Sequence, residues 1–574
     1  MEDTRAESLP IGAAEAAAAL QTLQRYKAGK AALDKRLIDN ELWFRMGHWK
    51  NYRDPLMPGK AQPSSGWLFN SIANKHADAM DNYPEPMVLP RAADDQATAQ
   101  ALSSVLPVVL EQADYEQVYS DVWWRKLKQG TGVKGIFWDP GLRNGVGDIS
   151  IKSMDLLMMY WEPGVMDIQD SPHLFSLAVA DNEQLKAQYP QLEGHTGSTL
   201  EVAKYIHDQS IDTSDKSVVV DWYYKKLSPE GRSVLHYCKF CNGVVLYASE
   251  NDPALAERGF YDHGKYPFVF DVLFPEEGTP CGYGYVDLCK SPQKQIDLMN
   301  QAILKNTLAA ATPRFFIRSD GAVNENEYAD WTRPFVHTNG NLGADSIAPI
   351  HTAGLDSVYV AIMQSKIAEM KETAGNRDVA NGGTASGVTA ATAIAALQEA
   401  GGKLSRNMID DGYEAFSDVV TLVIELIRQF YQLPRQFRLL GAMGREEFVS
   451  YDGQGLREQV MDDGTGICYR VPEFDLEVSA QDENPYKTME YNQLALQLFQ
   501  MGFFREDMAD QALRCLELMD FKNKDQLTAA ILQGKQQAAM AQTAEGAASG
   551  GGTAVKQTAM ERMRQQTHEA VRPR

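Results

Sequence analysis

The sequence predicts an α+β protein of more than one domain, and three observations carry that reading. The 574 residues exceed what a single hydrophobic core usually serves. Apolar residues recur at helical spacing through residues 31–129 and again through 287–431. Between and after these stretches stand short runs of β-branched and aromatic residues, bounded by Gly, Pro and Asp, that read as strands. Apolar residues make up 44% of the chain, enough for real cores.

Residues 1–30 are Ala-rich and predict a loosely held helical arm. Residues 31–54 continue as a helix ending in Trp43, Phe44 and Trp49. Pro58, Gly59 and Pro63 mark a loop. Phe69, Ile72, Ala73, His76, Ala77 and Met80 then share one helical face, and Pro84 and Pro86 end that helix. A further helix is expected over Asp94–Gln129, interrupted near Pro107. From Gly132 strands take over, including VKGIFWDP, DISIKSMD, VVVDWYYKKLS and FVFDVLF, with Asn242-Gly243 as a two-residue hairpin turn and Gly145-Val146-Gly147 as another. Short helices are expected over 182–189 and 199–207. Helices follow at Asp287–Ala311, Leu355–Ala374 and about Ala390–Tyr431. The strand-like pieces FRLLG, EEFVSYDG and FDLEVSA are expected to rejoin the first sheet. Residues 485–535 read as three helices, and the Ala/Gly/Ser/Thr/Gln-rich segment after Ala541 as a low-complexity tail with a basic end.

The net charge of −22 and pI near 5.0 argue against a protein that coats nucleic acid through a basic surface. An acidic wall past which DNA slides remains compatible with it. No run of 18 apolar residues predicts a membrane span. The first residues carry acids and no basic region ahead of the apolar part, so they are not read as a signal peptide. Six cysteines in a chain of this length make no disulfide scaffold, and a reducing cytoplasm with free thiols is the expectation.

Candidate chemistry is sparse. Cys238-x-x-Cys241 is a possible zinc or thiol motif. It has no second ligand pair, however, and its odd spacing on a strand points the two thiols to opposite faces. Gly401-Gly402-Lys403 resembles part of a phosphate-binding loop, but Leu404 stands where Ser or Thr is needed and the run lies inside a helix. Gly401 and Gly402 therefore read as a helix kink. The acidic pairs Asp410-Asp411 and Asp462-Asp463 read as solvated turns and helix faces. The tryptophans Trp43, Trp49, Trp67, Trp123, Trp124, Trp138 and Trp161 could stack bases, but they sit at core spacing. No catalytic constellation, cofactor site or metal site is found, and the chain is not read as an enzyme. The segment between the second and third long helices is different in kind. Asn376, Arg377, Asn381, Gly382, Gly383, Thr384 and Ser386 belong to a Gly/Asn/Thr loop with no packing content and high backbone freedom.

The order of these pieces resembles tailed-bacteriophage portal proteins, the head-to-tail connector rings. The resemblance lies in WLFNSIAN (Trp67–Asn74) followed by a helix into the Pro-rich Tyr83–Pro90. It lies also in Phe274–Asn306, a Gly-Tyr-Gly turn into a Gln/Asn-rich helix, and in the long helix carrying ATAIAALQEAGGKLSRNM. It covers roughly residues 31–535, by order and texture rather than by invariant chemistry. It implies a portal-type fold with an α/β wing, a helical stem, a small α/β clip, a long kinked helix and an all-helical crown. By position these are an N-terminal arm 1–30, wing 31–286, stem helix 287–311, clip 312–354 and second stem helix 355–375. There follow a tunnel loop 376–388, long wing helix 389–434, second wing part 435–484, crown 485–535 and tail 536–574.

The resemblance further implies a homo-oligomeric ring, usually of twelve copies, at one capsid vertex. Double-stranded DNA would be packaged and ejected through it without sequence preference. The clip would dock the terminase large subunit first and the head-to-tail adaptor or tail proteins later, with the major capsid and scaffolding proteins around the ring and no membrane involved. Location would be the virion, with host cytoplasm during assembly. The first stem helix, 25 residues long, would span about 37 Å at 1.5 Å per residue. Lys290, Lys294, Lys305, Lys366 and Lys371 are the candidates to face DNA phosphates. Another head or tail connector protein, or a metal-dependent DNA-processing enzyme, are the alternative readings.

Overall fold

A computed structural model of the chain describes residues 10–50, 62–197, 201–205, 215–227, 231–311, 315–317, 324–330, 334–335, 337, 347–350, 357–375, 403–440, 446–462 and 467–480, and positions 513, 514, 528, 531 and 532. The chain divides into two units, Met1–Gln481 and Asp482–Arg574. The described positions of the second unit are all helical, and most of the expected crown 485–535 lies outside the described residues.

Among the described residues, the helices of five or more residues in the first unit are α1 (Ala13–Phe44), α2 (Trp67–Met80), α3 (Gln96–Gln112), α4 (Tyr115–Gln129), α5 (Asn182–Gln188), α6 (Tyr285–Ala311), α7 (Glu325–Ala329), α8 (Ser357–Thr373) and α9 (Lys403–Phe430). Its strands begin with β1 (Pro84–Pro90), β2 (Thr131–Asp139), β3 (Asp148–Met154), β4 (Met159–Trp161), β5 (His173–Asp181), β6 (Lys216–Leu227), β7 (Ser233–Cys241), β8 (Val244–Ala248) and β9 (Phe268–Val272). They continue with β10 (Phe274–Pro275), β11 (Gly282–Tyr283), β12 (Phe315–Ile317), β13 (Ile347–Pro349), β14 (Arg435–Leu440), β15 (Glu446–Tyr451), β16 (Gln459–Asp462), β17 (Ile467–Arg470) and β18 (Phe474–Ala480). Both helices and sheets are present, as the α+β reading requires.

Two sheets form the body, a five-stranded antiparallel one in the order β4-β5-β6-β7-β8 and a three-stranded one, β3-β2-β9. Asn242 and Gly243 both take positive φ at the β7–β8 turn, the mirror-type hairpin geometry that Asn-Gly favours. Cys238 packs with Tyr26, Phe175 and Phe240 on one face of the larger sheet, and Cys241 with Leu185, Leu192 and Val219 on the other. Burial pushes the Cys238 thiol up to about 12 and raises Cys241 as well, so both are inert packing groups.

Four expectations change. Residues 1–30 are no loose arm as far as they are described: α1 runs unbroken from Ala13 to Phe44, and Ala16, Ala19, Leu23 and Tyr26, spaced three or four apart, seal the larger sheet. Pro107 does not interrupt its helix, because a proline forgoes only its own N–H bond when the turn can absorb the ring. The break falls instead at Asp114, which is left-handed at φ 51. No helix covers 201–205. The returning strands do not rejoin the first sheet: β14 pairs with β15, β16 with β17, and β18 with β1, from Pro84↔Ala480 to Pro90↔Phe474.

The prolines of β1 explain why that strand tolerates them. Arg91 N donates to Glu473 O, so odd-numbered residues face β18. Pro84, Pro86 and Pro90 turn their missing N–H to the other edge, where Val88 N–H, the one even-numbered donor among them, meets Ser103 Oγ of α3 at 2.9 Å.

The main core is wrapped around α9. Its Met408, Ile409, Phe416, Val419, Val420, Val423, Leu426 and Ile427 are buried against α4, the smaller sheet and β1/β18. Behind it lies a fully buried ionic triad. Lys126 of α4 and Lys134 of β2 reach opposite oxygens of Asp271 of β9, at 2.5 and 2.9 Å. Lys126 also lies 4.4 Å from the centre of the Trp123 ring. Burial drives the Lys126 ammonium below the ordinary lysine range, opposed by Asp271. Burial also raises the Asp271 carboxyl, but the two ammonium groups outweigh it and hold the group below its ordinary 3.8. A carboxyl depressed on folding contributes stability that is complete above the unfolded value and is lost as pH falls below it. Asp271→Leu leaves two buried ammonium groups unpaired and is expected to cost about 3–5 kcal/mol in urea unfolding. It should also remove part of the acid sensitivity below pH 3.8. A variant as stable as the parent would show that the triad does not organise this core.

Candidate functional site

The helical pair α6 and α8 contributes to the core of the first unit over only part of its length. Entry into α6 is tightly built. Gly130 ends α4 with φ 85, and a Cβ there would stand 2.4 Å from the backbone carbon of Tyr283. A Cβ on Gly284 would meet Leu127 O at 2.7 Å. The Gly-Tyr-Gly turn therefore lets two backbones touch, and this fixes where α6 starts.

The 27 residues of α6 divide into two halves. The first half is core: Tyr285, Val286, Cys289, Pro292, Gln293, Ile296 and Asp297 are buried. A polar clasp ends it. Asp297 Oδ1 accepts from Ser65 N at 3.0 Å and Ser65 Oγ at 2.8 Å. Its Oδ2 accepts from Gln293 Nε2 at 3.0 Å and lies 3.1 Å from His48 Nε2. Gln293 also donates to Ser65 O and accepts from Leu68 N. His48 is buried and stacked on Trp43 with ring centres 4.1 Å apart. Beyond Asp297 the helix buries nothing, and Leu298, Leu304 and Leu308 are exposed. On α8 only Met370 is buried, while Val358, Tyr359, Val360 and Ile362 are exposed. Isolated exposed leucines are ordinary, whereas here seven exposed apolar side chains lie along two paired helices. The segment joining them carries the β12–β13 ribbon with Phe316 and Phe335 exposed, and α7, capped by Asn324 Oδ1 on Glu327 N.

The lysines singled out in the sequence fall in different surroundings. Lys290 pairs with Asp39 of α1 at 2.6 Å and so ties α6 to the body. Lys366 pairs with Glu369 at 2.6 Å. Lys371 lies over the Trp67 ring at 5.7 Å. Lys294 and Lys305 are exposed on α6. Asn376, Arg377, Asn381, Gly382, Gly383, Thr384 and Ser386, with Gly401 and Gly402, lie outside the described residues. The tryptophans pack inward: Trp43, Trp123 and Trp161 are buried, and Trp138 stacks on Phe430 at 4.7 Å.

Sequence reasoning missed the clasp. Its signal was present: Gln293 and Asp297 stand four apart on the stripe that holds Cys289 and Ile296, where a soluble helix face would place apolar residues. It also missed the ionic triad, although Lys134 and Asp271 each interrupt an apolar strand.

Among the described residues no group of three or more His, Cys, Asp or Glu is placed to hold a metal ion, and no helix is long and apolar enough to cross a membrane. Asp297→Ala should remove the acceptor of the part-buried Ser65 N–H and Oγ–H and one of the acceptors of Gln293 Nε2, at about 1–3 kcal/mol for each donor left unsatisfied. Hydrogen exchange through residues 285–311 should accelerate with it. Unchanged exchange there would mean that the clasp does not hold α6.

A family model described as Phage P22-like portal protein matches residues 76–572. No curated protein sequence matches the chain. The match spans most of the chain, and the chain belongs to the P22-like phage portal protein family.

Proposed function

We propose that this member of the phage portal family assembles into a closed ring at one capsid vertex, through which double-stranded DNA is packaged and ejected. The observation that carries the reading is the half-bare helical pair. α6 is anchored by its first half and presents apolar side chains from its second, as does α8, so each copy leaves a surface that a neighbouring copy can cover. In this reading α6 and α8 are the stem and line the bore, and residues 312–354 form the clip. Residues 376–388 form the tunnel loop, residues 389–434 are the long wing helix, and residues 31–286 with 435–484 make the wing. Residues 485–535 form the crown and 536–574 the tail.

The ring, of twelve copies, handles DNA without reading its sequence. Lys294 and Lys305, both exposed on α6, are the stem cations we assign to transient contact with phosphates. Weak contact suits a polymer that must slide: with a net charge of −22 per chain the ring repels DNA overall and lets it pass. The chain supplies structure, and the energy for packaging comes from a separate terminase that docks on the clip, to be replaced there by the head-to-tail adaptor or tail proteins. Capsid and scaffolding proteins surround the ring, which forms in the host cytoplasm and ends in the virion.

Leu308→Glu with Val358→Glu changes two exposed side chains and should leave circular dichroism and thermal unfolding of the isolated chain unaltered. In analytical ultracentrifugation the parent should form a large discrete oligomer and the double variant a monomer. A variant that still assembles would remove these helices from the interface. Chains of like charge also associate better when screened, so the oligomer should gain with salt. An oligomer that forms best at low salt would contradict an interface that is apolar and short of opposite charge.

A further inference from the structure

Strand β18 has a strand on one side only: among the described residues β1 is its single partner. The two pair without a register shift from Pro84↔Ala480 to Pro90↔Phe474. Odd-numbered residues of β1 bond β18, as Arg91 N does to Glu473 O, so their register partners Asp475, Glu477 and Ser479 are the residues of β18 that bond back. The N–H and C=O groups of Leu476 and Val478 therefore point away from β1. None of these groups has a hydrogen-bond partner among the described residues.

Burial confirms that this side is uncovered. The inward residues Pro84, Pro86 and Val88 of β1 are buried, with α3 beyond them. Their partners Ala480, Val478 and Leu476 face the same core and are half-buried, and no residue of β18 is fully buried. The strand is seven residues long and apolar on its inward face. It has none of the prolines, lysines or bulges by which exposed edges usually protect themselves. What guards it is charge on the outward face. Glu473 and Asp475 are already engaged by Arg91, at 2.7 and 2.8 Å. Glu477 is different: it is exposed, and its diagonal neighbour across the ladder is a second carboxylate, Glu85. Neither has an ion pair among the described residues.

We propose that β18 accepts an extended segment of another polypeptide, apolar at alternate positions and with a Lys or Arg between them opposite Glu477. Main-chain pairing with Leu476 and Val478 supplies the hold. The apolar side chains of the segment complete the cover over Phe474, Leu476 and Val478. Its cation meets Glu477 directly across the strands, with Glu85 behind, and the same carboxylates turn an acidic strand away. The inference concerns the body of the molecule and stands independently of ring assembly.

The test is hydrogen exchange on the full chain, with the capped peptide TVKVRVT as probe and TVEVEVT as control. In the absence of peptide the amides of Leu476 and Val478 should exchange fast and those of Asp475 and Glu477 slowly. TVKVRVT should slow the two fast amides by about tenfold or more, and TVEVEVT should not. Glu85→Gln with Glu477→Gln should remove the difference between the peptides while leaving thermal unfolding unaltered. Val478→Pro deletes one outward N–H, as the prolines of β1 do on their own far edge. It should keep Asp475 and Glu477 slow and abolish the slowing of Leu476 by TVKVRVT. The proposal is overturned if TVKVRVT has no effect, if TVEVEVT acts equally on the parent, or if either variant responds as the parent does. It is also overturned if Leu476 and Val478 are slow without peptide at every concentration, which would place a segment of the same chain on the edge. Slowing that appears without peptide as protein concentration rises would overturn it in favour of a second copy.

Discussion

The architecture depends on α6 being held at one end only. Its first half is as buried as any core helix, fixed by the backbone contact of Gly284 with α4 and by the clasp of Asp297, Gln293, Ser65 and His48. Its second half, with α8, is apolar and bare. A lone chain gains nothing from that surface, and hydrophobic burial of order 25 cal/mol per Å² is available only when another molecule covers it. Anchoring one half rigidly fixes the direction in which the other half is offered, which is what a closed assembly needs from its subunits.

Buried charge is the second theme. The Lys126–Asp271–Lys134 triad and the Asp297 clasp each place ionised or strongly polar groups where desolvation is costly, and each is completed by several partners rather than one. Neither is the cheapest way to stabilise a core. Both join segments far apart in sequence at one geometry: residues 126, 134 and 271 in the first case, and 48, 65, 293 and 297 in the second. Apolar packing alone would tolerate small slips between these elements, whereas a carboxylate with assigned donors does not.

Much of the element plan was legible because local signals are strong where they occur. Asn242-Gly243 dictates its hairpin, the Gly-Tyr-Gly turn marks the start of α6, and the odd spacing of Cys238 and Cys241 separates the thiols. What escaped the reading was tertiary. Nothing in the Ala-rich residues 13–30 announces that small side chains are there to let a helix lie close on a sheet. The pairing of β18 with β1, nearly four hundred positions apart in sequence, leaves no local trace, although the prolines of β1 restrict which edge it can use. The clasp was visible only as polar residues on an apolar stripe, and their partners on the 62–68 segment could not be inferred from spacing.

In the proposed ring the bare half of α6 and α8 is the wall of a conduit. Imaging the purified chain by electron microscopy and counting its rotational symmetry tests this most directly. The expected result is a closed ring of about twelve copies, with the α6–α8 pairs packed side by side around a bore wide enough for a DNA duplex. A ring with these helices on its outer rim, or a population of monomers and dimers with no bore, would contradict it.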